Sequence, residues 1–202
     1  MNRLKIYDNI VKKDIWSVFM GYWNTRGLRG STLEELINYT NESYRAKGLA
    51  VIQKVPTPIK PIQIDQKSRT ITLAYFDQKS TVDYIGVVQS IPICFDAKET
   101  SKKSLPIQNI HPHQILFMED FQKQEGVAFL LVYFIEYNQY FMLPFEILKK
   151  YWDRAQEGGR KSIPYDAFPK DLEIYSKGGA YIHYLEALNT YLVRKKYDRN
   201  KY

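Results

Sequence analysis

The chain has 202 residues and carries 29 Lys+Arg against 22 Asp+Glu, a formal charge of +7. That length suits one domain, or one domain with an arm, able to bury roughly 70 % of the unfolded chain's surface without disulfides. The lone cysteine, Cys94, excludes an internal bridge and a cysteine-built zinc site and fits a reducing compartment, while the absence of any apolar run of about 18 residues leaves no membrane span or signal peptide to expect. The expected location is the cytoplasm, with no membrane partner, and the basic excess points to a polyanion.

In chain order, residues 1–25 form a basic and aromatic segment in which Lys12 and Lys13 precede Trp16, Phe19, Tyr22 and Trp23, too apolar for a free arm and expected to dock in part. Ser31 and Thr32, with Glu34 and Glu35 following, signal a capped helix that runs to Lys47-Gly48. Leu49 to Val55 reads as a buried strand, stopped by Pro56, Pro58 and Pro61. Ile62 to Phe76 alternates like a hairpin with Lys67, Ser68 and Arg69 near its tip, a proline-stiffened excursion at about 56–72.

Two strands, Thr81 to Val88 and Ile91 to Lys98, precede a polar loop over Glu99 to Asn109 and a helix from Pro112 or His113 to Lys123. Val127 to Ile135 is almost wholly apolar, as a strand covered on both faces is, with Gln139 to Leu143 as its neighbour. Helices over Pro144 to Gln156 and Ala180 to Val193 complete a domain at 26–193, followed by a basic tail at 194–202. The order implies an α/β class with a mixed central sheet flanked by helices. Cations also gather at Lys149 to Lys161, including Arg154 and Arg160, and in the tail; solvated surface and phosphate contact both fit such clusters.

The central hairpin carries the chemistry. Folding about Gln89-Ser90 opposes Val88 to Ile91 and, in the same register, Asp83 to Asp96. One face then holds Thr81, Asp83, Asp96 and Lys98, and the other Val82, Tyr84, Val88, Ile91, Ile93, Phe95 and Ala97: one face charged, one core. Opposed carboxylates about 5 Å apart repel. A hard divalent cation, Mg²⁺ or Mn²⁺, removes that repulsion, and Lys98 can stabilise charge developing on a phosphate, which is the logic of a metal-dependent phosphodiesterase. Surface salt bridges are the competing reading of the same pattern.

A strand with an acid, a hairpin and then Asp96-Ala97-Lys98 resembles the PD-(D/E)xK nuclease core, and the longer motifs resemble the RecU-type Holliday junction resolvases. They are Thr32-Leu33-Glu34, Lys54-x-Pro56-Thr57-Pro58, Ala74-Tyr75-Phe76, Ser80-Thr81-x-Asp83-Tyr84, Phe95-Asp96-Ala97-Lys98-Glu99-Thr100, Pro106-x-Gln108-Asn109, His111-x-His113-Gln114 and Gly159-Arg160-Lys161-Ser162. The resemblance implies a restriction-endonuclease-like core with a protruding stalk hairpin, and a homodimer that resolves four-way DNA junctions by paired symmetric nicks. It implies metal ligation by Thr81, Asp83, Asp96 and Gln114, a transition-state role for Lys98, and support from Glu34. DNA contact is expected from Lys67, Arg69, Arg154, Arg160 and Lys161, with recombinase or branch-migration proteins as further partners. Asp96 stands where the family usually has Glu, which keeps open a non-cleaving junction binder or recombinase modulator; a duplex-cutting nuclease on the same core is the other alternative.

Other candidates read as structural. His111-x-His113 has metal-ligand spacing, but Pro112 breaks the strand and no third soft ligand is near. His183 lies among Tyr181, Tyr184 and Leu185 as a packing histidine, and Cys94 lacks a partnering base. Gly158-Gly159-Arg160-Lys161-Ser162 lacks phosphate-loop spacing and reads as a basic turn against DNA backbone.

Overall fold

The first described helix, α1 (Leu33–Ala46), begins with a reciprocal cap, in which Glu35 N donates to the Thr32 hydroxyl and Thr32 N donates to the Glu35 carboxylate. It stops at Lys47, where Gly48 takes a left-handed φ of 64°. The computed structural model describes residues 32–76 and 81–199, so the docking expected of the N-terminal segment lies outside the described residues.

Six strands form one mixed sheet: β1 (Ala50–Lys54), β4 (Tyr84–Val88), β5 (Ile91–Thr100), β7 (Val127–Phe134), β8 (Gln139–Pro144) and β10 (Glu173–Ile174), in the order β1-β4-β5-β7-β8-β10. All neighbours are antiparallel except β5 and β7, whose parallel pairing needs the crossover carrying helix α2 (Pro112–Lys123). Helices α3 (Phe145–Gln156) and α4 (Tyr184–Arg199) complete the layers.

Both faces of the sheet are buried. On one, Leu33, Ile37 and Tyr44 of α1 and Tyr184, Leu188 and Tyr191 of α4 cover Tyr84, Phe95, Phe129 and Met142. Phe95 stacks on Tyr84 at 4.7 Å and on Phe129 at 4.9 Å, with Tyr184 tilted at 5.2 Å. Each such side chain contributes roughly 2–3 kcal/mol by leaving water, so this stack pins β4, β5 and β7 together. On the other face, Ile115 and Met118 of α2 and Phe145 and Leu148 of α3 cover Cys94, Ala128, Leu130 and Val132.

The structure corrects several expectations. The hairpin is not core on one side and charged on the other: Cys94 and Asp96 are fully buried, and Val82 joins the α2 and α3 side. The assignment of Val82 failed because regular alternation stops at Tyr84, where β4 starts; residues 81–83 lead into it irregularly. Strand β1 is an edge, not buried through its length; Val51 is 64 % exposed and only Ala50 is buried. The loop expected over Glu99 to Asn109 is partly strand: β5 runs on to Thr100, and β6 (Ser104–Pro106) pairs with β9 (Ser162–Pro164) because Leu105 and Ile163 both reach the core.

The excursion after Pro58 is an isolated two-stranded hairpin, β2 (Ile59–Asp65) with β3 (Thr70–Phe76), paired from Ile59↔Phe76 to Asp65↔Thr70, so it extends past residue 72. Nearly all of it is exposed, including Ile62, Ile64, Ile71 and Leu73. At the other end, α4 starts at Tyr184 and runs beyond Val193 through Arg199, so Arg194 and Lys195 are helical and ion-paired with Asp171 and Glu146 instead of lying in a tail.

Candidate active site

The hairpin register is the one expected, Tyr84↔Phe95 through Val88↔Ile91. Its turn residues, Gln89 and Ser90, both have positive φ, 46° and 71°, the twist a two-residue hairpin requires, here reached without glycine. Gln89 Nε2 donates to the carbonyls of Gly48 and Leu49 at 3.1 and 3.2 Å, which anchors the turn to the end of α1.

Beyond Tyr84 the two acids tie the chains together. Val55 N donates to the Asp83 carbonyl (2.8 Å), Asp83 N donates to Asp96 Oδ1 (3.1 Å), and Ala97 N donates to Asp83 Oδ2 (2.9 Å). Each carboxylate thus accepts a main-chain N–H from the strand of the other. Asp96 has no exposed surface, and its Oδ1 also accepts from Gln114 Nε2 at 2.8 Å. Lys98, two residues along the same face of β5, places Nζ 2.5 Å from Asp96 Oδ2. Burial first, and the neighbouring Asp96 charge second, push the half-buried Asp83 carboxyl up to about 6.

Gln114 reaches Asp96 because of how α2 starts. His111 caps the helix, Pro112 occupies its first turn, and Gln114 Oε1 accepts from His111 N at 2.9 Å. The amide oxygen is therefore engaged by main chain and the N–H faces Asp96. Ligation of a metal through that oxygen, as expected from the resemblance, requires the amide to turn over against a backbone donor.

Glu34 touches neither acid; its carboxylate pairs with Lys54, and its carbonyl accepts from Tyr84 OH at 3.3 Å. The Tyr84 hydroxyl is pushed up by burial and then by the charges of Glu34, Asp83 and Asp96, so Glu34 stands close enough to share the field of the site. Lys54, the last residue of β1 and the register partner of Tyr84, is a neighbour that the residue-by-residue reading left out, although it stood within a quoted motif. Thr81 is half-buried two residues before Asp83.

Lys67 and Arg69 sit in the exposed turn of the β2–β3 hairpin, where Asp65 Oδ1 accepts from Lys67 N at 2.9 Å. Arg154, Arg160 and Lys161 are exposed around the end of α3 and the approach to β9. These five cations are not in contact with the acids. The Cys94 thiol is buried and pushed up to about 12 by desolvation, then by Asp96, so it is inert. His111 and His113 stack at 5.3 Å at the helix start, and His183 Nδ1 meets Tyr44 OH at 2.9 Å.

Two acids in mutual contact, with Asp96 Oδ2 buried and met by the Lys98 ammonium, are a fitting pair of hard ligands for a divalent cation. Among the described residues no group of three or more His, Cys, Asp or Glu assembles, so further ligands would be neutral oxygens such as Thr81 or the main chain. A mixed sheet whose hairpin brings two acids together, with a lysine two residues past the second, has the layout expected of the PD-(D/E)xK nuclease core, with Asp in the second acidic position.

The chain belongs to the RecU family: the family described as Recombination protein U matches residues 28–190. It is 42 % identical to the Holliday junction resolvase RecU of Oenococcus oeni over 167 residues, covering 80 % of this chain and 85 % of that one. It is 41 % identical to that of Limosilactobacillus reuteri over 172 residues (83 % and 84 %), and 38 % to that of Levilactobacillus brevis over 185 (89 % and 92 %). A solved Archaeoglobus fulgidus Hjc, a Holliday junction resolvase, aligns over 56 % of this chain and 75 % of its own at 8 % identity and a TM-score of 0.33. Among the described residues no helix is long and apolar enough to cross a membrane.

Proposed function

We propose that this chain is an endonuclease that resolves four-way DNA junctions, working as a homodimer that places one Asp83/Asp96/Lys98 site against each of two symmetric strands. The observation that carries this is the interlocked acid pair, with Lys98 held 2.5 Å from the buried Asp96. A Mg²⁺ or Mn²⁺ ion held by Asp83, Asp96 and Thr81 would polarise the scissile phosphate and acidify an attacking water. Asp83 N and Gln114 Nε2 both donate to Asp96 Oδ1, and Oδ2 faces the Lys98 ammonium, so a cation ligated through Oδ2 would share that oxygen with Lys98 or displace it. Lys98, 17 % exposed, keeps its ammonium at the acid pair, where it can donate to a phosphate oxygen as negative charge grows there. Glu34 holds Lys54 beside the site.

The exposed β2–β3 hairpin, with Lys67 and Arg69 at its turn, serves as the stalk that enters the junction centre. Recognition rests on phosphate charge and junction shape, and two-fold symmetry of the dimer matches that of the junction. Recombinase or branch-migration proteins are the further partners that fit such an enzyme. The test is incubation with Mg²⁺ and an immobile junction, a flap or a linear duplex: selective paired nicks in the junction are expected, and equal cutting of the duplex would refute the reading.

A further inference from the structure

The β6–β9 ladder brings together two groups of cations that are far apart in sequence. Antiparallel pairing of Ser104 with Pro164 and Pro106 with Ser162 sets the turn before β6, with Lys102 and Lys103, at one end, and the segment before β9, with Arg160 and Lys161, at the other. Both turns are tied down. The buried Thr100 donates its hydroxyl to the Ser104 carbonyl (3.2 Å) and accepts from Lys102 N (3.1 Å), and Tyr165 N donates to the Lys103 carbonyl (3.2 Å). Ile107 N donates to the Lys161 carbonyl (3.1 Å), and Arg160 Nε donates to Ser162 Oγ (3.0 Å).

All four side chains are exposed, and among the described residues their one acidic contact is a loose 3.7 Å approach of Glu136 to Lys103. Four exposed cations, of which Lys103 alone has an acidic neighbour among the described residues, give this ladder a positive potential that suits a polyanion. The spacing suits one. Lys103 and Lys161 stand at positions four residues apart along the ladder, about 13 Å, which matches the axial rise of about four phosphates on one DNA strand. The ladder also continues from the catalytic strand: Lys102 follows Lys98 by four residues, so their Cα atoms are at most about 14 Å apart.

We infer that the β6–β9 ladder is a phosphate-binding ridge, with Lys102, Lys103, Arg160 and Lys161 gripping the backbone of the duplex arm that flanks the scissile phosphate. This rests on the proposed nuclease reading and adds Lys102 and Lys103 to the DNA surface. The ridge reads no base, so it acts on any arm, in a junction or a linear duplex alike.

The test is the salt dependence of binding, measured by fluorescence anisotropy without metal, on an immobile junction and on a linear duplex of one arm's sequence. Each lost phosphate contact lowers the slope of log affinity against log salt by about 0.9. The double variant Lys102→Ala/Lys103→Ala is expected to lower it by about 1.8 on both substrates, as is Arg160→Ala/Lys161→Ala. Lys177→Ala, which removes a cation ion-paired with Glu186, leaves the slope unchanged. An unchanged slope in both double variants, each with wild-type thermal unfolding, overturns the ridge. A reduced slope on both substrates without any junction preference in the wild type would keep the ridge and remove the resolvase reading instead.

Discussion

Asp83→Asn separates the chemistry of the site from its stability. Burial and the Asp96 charge hold the Asp83 carboxyl near 6, against its ordinary value of 3.8. Keeping it ionised in the metal-free fold therefore costs about 3 kcal/mol, reduced to about 1–2 kcal/mol by the water that reaches a half-buried group. Because the folded group binds its proton more tightly than the unfolded one, the penalty is absent below pH 4, grows as pH rises to about 6, and is complete above that. Asn retains an oxygen to accept from Ala97 N and carries no charge. The variant in EDTA at pH 8 is expected to melt about 2–8 °C above wild type, with the gain vanishing toward pH 4, and to show neither metal-induced stabilisation nor cutting. A variant less stable than wild type at pH 8, or a gain that persists at pH 4, would refute the assignment of repulsion between the two acids.

Gln114→Glu puts a carboxylate where an N–H now faces Asp96, so metal-free stability should fall by about 2–3 kcal/mol in a denaturant titration; tighter Mn²⁺ binding by calorimetry with no loss of stability would show that Gln114 acts through its oxygen. Gly86→Ala places a methyl 2.3 Å from the Val51 carbonyl and 2.7 Å from Ile52 Cα. It should cost about 1–3 kcal/mol and speed amide exchange along β1. Lys67→Ala/Arg69→Ala should reduce junction preference over duplex by roughly tenfold, about 1.4 kcal/mol, with unchanged Mn²⁺ binding; unchanged preference would remove the stalk from recognition.

The parts of this molecule that were legible in the sequence are those set by local chemistry. The reciprocal Thr32/Glu35 cap and the Gly48 stop delimit α1, and the register from Tyr84↔Phe95 to Val88↔Ile91 follows once Gln89-Ser90 is taken as the turn; the ladder stops one residue short of the acids, which meet through side-chain hydrogen bonds to main chain. That turn lacks glycine, so its left-handed backbone could not be read from residue type; hydrogen bonds to Gly48 and Leu49 support it from 40 residues away. Strand β1 looked buried because edge and central strands share composition, and only the sheet order shows which neighbour is missing. The β6–β9 ladder was invisible for another reason: three-residue strands have no periodicity, and their pairing depends on the shared burial of Leu105 and Ile163. Gln114 drew notice only through the family resemblance, and which end of its amide faces Asp96 is decided by His111 N, a contact no spacing rule contains.

The most direct test of the resolvase reading is a two-strand cleavage assay on an immobile four-way junction, with each strand labelled in turn, alongside a linear duplex of the same sequence. With Mg²⁺ the expected result is a pair of nicks at symmetric positions in strands of like polarity, lost in EDTA and in Asp83→Asn, and no comparable cutting of the duplex. Cutting that survives either change, or duplex cleavage at the same rate, would contradict it.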